Sequence, residues 1–169
     1  MITHPASCLD QARDKSEKKF AELCLAKNLQ VVHATKNQDM YEHWDWKVTN
    51  PNTKKVSLID VKGARKKSRS DAKIDYDITW LEFKNVHGNS GSLWGKADYI
   101  AFEQKEYFLI CKRTDLINWL KGKIINKTFV NYSKDAMYRY YQRSGRQDVI
   151  TMVRIKDIEQ DLNCGKLLK

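Results

Sequence analysis

Two segments, WDWKV (44–48) and VSLIDVKG (56–63), set Asp45, Asp60 and Lys62 among apolar residues, where charge is costly. Side chains alternate across a strand, so Val56, Leu58, Asp60 and Lys62 share one face and Ser57, Ile59 and Val61 the other. In the preceding segment His43, Asp45 and Lys47 share a face. PNTK (51–54) supplies a turn, and antiparallel pairing across it brings Asp45 beside Asp60. Two carboxylates about 4 Å apart repel by ~4 kcal/mol at an effective dielectric of roughly 20. A shared proton, the Lys62 ammonium or a divalent cation offsets that repulsion. Mg²⁺ suits such a pair, because it takes one or two carboxylates and completes its shell with water and phosphate oxygens. A cation held there polarises a phosphodiester and helps generate hydroxide, while a lysine alongside positions or deprotonates water or stabilises the transition state. D-x-K alone is common, and an ordinary ion pair accounts for it. The upstream acid, the apolar lead-in and the basic run that follows are what favour chemistry.

The pattern WDWKV…VSLIDVKG resembles the PD-(D/E)XK nuclease superfamily. Asp45 matches its first acid, Asp60 its second and Lys62 its lysine, with Trp44 where the motif name has proline. The stretch TWLEFKNVHGNSGSLWGKADYIAF (79–102) resembles small phage and viral nucleases of that superfamily. The resemblance implies a restriction-endonuclease-like core and metal-dependent hydrolysis of DNA, less often RNA. It implies Mg²⁺ or Mn²⁺ on Asp45, Asp60 and the Val61 carbonyl, and cleavage of branched DNA or nicking. A charged loop and a further strand follow the D-x-K strand where the family core has a helix.

Glu82 and Lys84 form a second acid-x-lysine pair, on one strand face with Trp80. Either Glu82 lies on a strand beside Asp60 and completes the site, or Glu82–Lys84 is the motif and Asp60 the upstream acid. The hairpin geometry of Asp45 and Asp60 favours the first, and an ion pair is the structural alternative. Glu17 flanks the apolar face of the first helix, where a solvated surface is the simpler expectation. Arg65, Lys66, Lys67 and Arg69 follow the site and suit flanking phosphates. Lys84 adds to this set, and Arg139 and Arg143, interleaved with Tyr138, Tyr140 and Tyr141, form a second candidate nucleic-acid surface. Trp94, in the glycine-rich loop 87–95, could stack on an unpaired base or pack inward. A non-catalytic basic DNA-binding protein and a ribonuclease with the same site are the alternatives.

The elements that must hold these residues follow from periodicity. A helix capped by Ser7 or Asp10 runs to about Asn28, with Leu9, Ala12, Ser16, Phe20, Leu23 and Cys24 on one face. Strands are expected in LQVVHAT, YEHWDWKV, VSLIDVK and ITWLEFKNV, then a hairpin of DYIAFE and YFLICKR. Thr114 is expected to cap a helix in TDLINWLKGK, SKDAMYRYYQRSGR reads as a basic helix, DVITMVRI as a strand and KDIEQDL as a turn or helix. Together these predict one α/β (α+β) domain over residues 1–169, a central mixed β-sheet flanked by helices.

The chain has 169 residues and 31 Lys+Arg against 21 Asp+Glu, a net charge of +10 that favours a polyanionic partner. Cys8, Cys24, Cys111 and Cys164 are scattered without metal-ligand spacing and read as reduced thiols, which with no signal region predicts a cytoplasmic protein, phage-encoded on the resemblance. No stretch suits a membrane span, and a homodimer stays open. The histidines show no zinc spacing, and P-loop and G-x-S-x-G signatures are missing, so ATPase and serine-hydrolase chemistry have no support.

Overall fold

The computed structural model describes residues 9–67 and 70–169. The chain is mixed α/β, and its described residues form a six-stranded sheet and a four-stranded sheet rather than the one central sheet expected. Two compact units contain them: residues 1–63, 96–110 and 165–169, and residues 64–95 and 111–164.

The first unit contains helix α1 (Lys15–Ala26). Its cap is Asp14, whose carboxylate accepts from the Glu17 N–H, rather than Asp10, and Ser7 lies outside the described residues. Glu17, Phe20, Ala21 and Cys24 form its buried stripe, spaced for one helical face. Strands β1 (Gln30–His33), β2 (Trp46–Thr49) and β3 (Val56–Lys62) then form an antiparallel run. β5 (Tyr99–Glu103) pairs with β3 in parallel, and β6 (Tyr107–Lys112) and β10 (Gly165–Leu168) complete the order β1-β2-β3-β5-β6-β10. Phe20, Ala21 and Cys24 pack with Val31, Trp46, Ile59, Val61, Ala101 and Phe108. No strand was expected over the tail segment that forms β10. β2 is also shorter than expected, because Gln38–Glu42 form a π-helical turn and His43 takes a left-handed conformation, φ 55°.

The second unit is built on β4 (Ile78–Lys84), β7 (Asn126–Val130), β8 (Arg139–Tyr141) and β9 (Val149–Arg154), in the order β4-β9-β8-β7. Helices α2 (Arg113–Lys123) and α3 (Ile155–Asp161) belong to it. Residue 112, not Thr114, stands at the α2 N-cap, without a side-chain cap bond. The basic helix expected over 133–146 is instead a 3₁₀ turn (Ser133–Asp135) followed by β8. Tyr138 breaks any helix there with φ 56°, and its N–H bonds to the Met152 carbonyl. Cys111 and Cys164 form a disulfide, which corrects the expectation of reduced thiols for that pair; Cys24 is free and buried, and Cys8 lies outside the described residues. That pairing removes the cysteine argument for a reducing compartment. No helix among the described residues is long and apolar enough to cross a membrane.

Candidate active site

The turn that makes the hairpin is locally determined. Asn50 Oδ1 accepts from the N–H groups of Asn52 and Thr53, and Lys54 adopts φ 61°. The resulting register pairs Trp46 with Ile59 and runs back to Thr49 and Val56. Past β2 the ladder slips by one residue: the Asp45 N–H donates to the carbonyl of Ile59, the partner of Trp46, at 2.8 Å, and the Asp45 carboxyl lies near enough to Asp60 to feel its charge. At this point the chain turns away through His43, and the Asp45 carboxylate takes over the ladder. It accepts from the Val61 N–H at 2.7 Å. Val61 lies past the paired part of β2, and its side chain packs in the core.

Asp45 and Asp60 are both buried. Lys62 Nζ lies 2.9 Å from Asp60 Oδ1, and Asp60 Oδ2 is buried with no hydrogen-bond partner among the described residues. Burial pushes the Asp45 carboxyl up to about 8, the Asp60 charge adds to the rise, and the Val61 N–H opposes it. Glu17 raises it further and Lys62 lowers it. Two carboxylates, Asp60 and Glu17, therefore act on Asp45 with one lysine against them.

Glu17 is the residue that the sequence reading undervalued. It is buried rather than solvated, and its carboxylate accepts from the Arg13 N–H at 2.9 Å. His33 Nε2 lies 3.4 Å from Glu17 Oε2 while its Nδ1 donates to the Ala34 carbonyl. His33 in turn packs edge-on against Trp46. The signal was present in the 17/20/21/24 spacing, which places an acid in the apolar stripe of α1.

The second acid-x-lysine pair belongs to the other sheet. β3 has β2 and β5 as its neighbours, so Glu82 is not on a strand beside Asp60. β4 instead pairs with the apolar strand β9, which places Glu82 opposite Ile150.

Of the basic candidates, Arg65 pairs through its backbone with Asp75, and Lys66 and Lys67 are exposed. Lys67 lines a shallow basin with Asp71, Lys73, Asp75 and Asp77, so acids share that loop. Arg69 lies outside the described residues. Lys84 and Arg139 are exposed at strand ends. Arg143 is different: its Nε bonds to the carboxylate of Asp148, which is fully buried, and its N–H reaches the same group at 3.2 Å. Trp94 is half-exposed, with Lys121 Nζ 5.2 Å from its ring centre.

No family model, curated protein or solved structure matches the chain.

The residues fit a cation in one respect and limit it in another. Asp60 Oδ2 is a buried acceptor without a donor, and Asp45 carries a repulsion that a cation would relieve. Among the described residues, however, no group of three or more His, Cys, Asp or Glu could hold a metal ion. The fit is to a two-carboxylate site whose remaining positions go to water and substrate oxygens, the habit of Mg²⁺.

Proposed function

We propose that this chain is a metal-dependent phosphodiesterase of the PD-(D/E)XK type that cleaves nucleic acid, with DNA as the favoured substrate and endonucleolytic nicking or branched-DNA cleavage as the favoured mode. The observation that carries the reading is the buried Asp45–Asp60 juxtaposition, with Lys62 on one Asp60 oxygen and the other oxygen unpartnered.

Asp45 and Asp60 would hold Mg²⁺ or Mn²⁺, which when bound supplies phosphate polarisation and a more acidic water. Asp60 presents an acceptor at a fixed place because β3 is held between β2 and β5. Asp45 is oriented by the Val61 N–H, so its carboxylate cannot swing away. Lys62, partly exposed, keeps its ammonium 2.9 Å from Asp60 and is placed to meet a phosphate oxygen or an attacking water.

Nicking of a supercoiled plasmid with Mg²⁺ or Mn²⁺, abolished by EDTA and by Asp60→Asn, tests the reading. A panel of duplex, single-stranded, flap and four-way-junction DNA, with RNA alongside, identifies the substrate and separates the ribonuclease alternative. Tight metal-independent binding without any cleavage would favour the basic DNA-binding protein instead, with the acids serving the hairpin alone.

A further inference from the structure

We propose that the second unit carries a stacking platform for single-stranded nucleic acid, built on Phe83, Tyr140 and Phe129. The inference rests on the nucleic-acid part of the proposed function and not on cleavage. The three rings come from β4, β8 and β7. Phe83 meets Tyr140 edge-on at 5.3 Å between centroids, and Phe129 lies 5.8 Å from Tyr140 on the other side. The Phe129–Tyr140 contact is fixed by strand register, since the two residues are partners in the β7–β8 pair. Yet Phe129 is 47% exposed, and Phe83 and Tyr140 are only half-buried. Tyr132, just past β7, is 64% exposed, with Lys134 Nζ 5.6 Å from its ring centre.

Exposed rings in a row invite an apolar partner, and the charge around them decides which kind. Strand alternation turns Arg139 away from Tyr140, and the cation against a ring beside this group is the exposed Lys134 on Tyr132. The unit as a whole holds 17 Lys+Arg against 10 Asp+Glu, while the other unit holds 14 against 11. Most of the chain's net charge of +10 therefore lies on the unit with the rings. A neutral apolar protein surface would use the rings and leave the cations unanswered. A single strand of nucleic acid answers both, with phosphates for the cations and base faces for the rings. Duplex DNA keeps its base faces stacked inside and offers only the phosphates.

Fluorescence anisotropy in EDTA tests this, using a labelled oligothymidylate and a duplex of the same length. The parent protein is expected to bind the oligothymidylate more tightly. Phe129→Ala should weaken that binding about five- to a hundredfold, with duplex binding and the salt slope unchanged. Phe129→Trp should restore it. Lys134→Ala should instead flatten the slope of log affinity against log salt, by ~0.7 for the one phosphate that goes unneutralised on a single strand. Should Phe129→Ala fail to fold, Phe129→Leu keeps the apolar bulk without the π-face and is expected to show the same weakening. A Phe129→Ala or Phe129→Leu protein with parental circular dichroism and parental oligothymidylate affinity overturns the proposal. So does a parent that prefers duplex. Phe129-dependent binding without plasmid nicking would retain this inference and remove the nuclease reading. Nicking without Phe129-dependent binding would do the reverse.

Discussion

Asp60 and Asp45 make different contributions, and their variants should separate. Asp60→Asn keeps size and strand geometry but removes an anionic oxygen that a hard cation needs. Cleavage should fall roughly a thousandfold, equivalent to ~4 kcal/mol of barrier, while DNA binding without metal holds or improves. Single-turnover cleavage and anisotropy on one preparation check both. Lys62→Ala should also lose most cleavage, with slightly weaker binding, and leaves Asp60 buried without its cation. Asp45 matters most for pH. Its folded carboxyl, near 8, lies far above the ordinary aspartate value of 3.8. Between those values the folded state holds a proton that the unfolded chain has released. Stability of the metal-free protein should therefore fall as pH rises from about 4 to about 8 and level off above it. Urea midpoints across that range measure the slope, and Asp45→Asn should flatten it. Divalent metal must displace the same proton, so metal affinity should climb over the same window.

At the element scale, the hairpin was legible and its surroundings were not. Alternation in VSLIDVK and the PNTK turn fix the register of the paired part, Trp46–Thr49 against Val56–Ile59, while the one-residue slip at Asp45 left no mark in the sequence. The Glu82–Lys84 expectation failed because nothing local says which strand β4 will join. Its partner β9 lies far along the chain, and an apolar strand can pair with either sheet. The 133–146 segment misled for a related reason. Its basic and aromatic spacing suits a helix, but β8 is held by partners on β7 and β9. Glu17 was visible in the helical stripe, yet an acid at an apolar position reads as surface until its neighbours are known. β4 also carries a tight approach that substitution should expose. A Cβ on Gly91 would sit 2.3 Å from the Glu82 carbonyl oxygen, and the Gly91 N–H bonds to the Phe83 carbonyl. Gly91→Ala should cost about 1–3 kcal/mol through that clash, read as a lower urea midpoint.

Over the whole molecule, the charge balance and the α/β class were readable from composition and pattern, while the division into two sheets and the disulfide were not. Cysteines 53 residues apart give no local sign of pairing. Closing that loop should stabilise the chain by about 4 kcal/mol in a chain-entropy account, so dithiothreitol or Cys164→Ser should lower the thermal midpoint. The central claim is that the Asp45–Asp60–Lys62 cluster cleaves nucleic acid with a bound divalent cation. Its most direct test is nicking of supercoiled plasmid by parent, Asp60→Asn and the Glu82→Gln/Lys84→Ala double variant, with Mg²⁺ or Mn²⁺ and with EDTA. The account expects metal-dependent nicking by the parent, its near-complete loss in Asp60→Asn, and its retention in the double variant. Equal nicking by parent and Asp60→Asn, or none by the parent on any substrate in the panel, would contradict it.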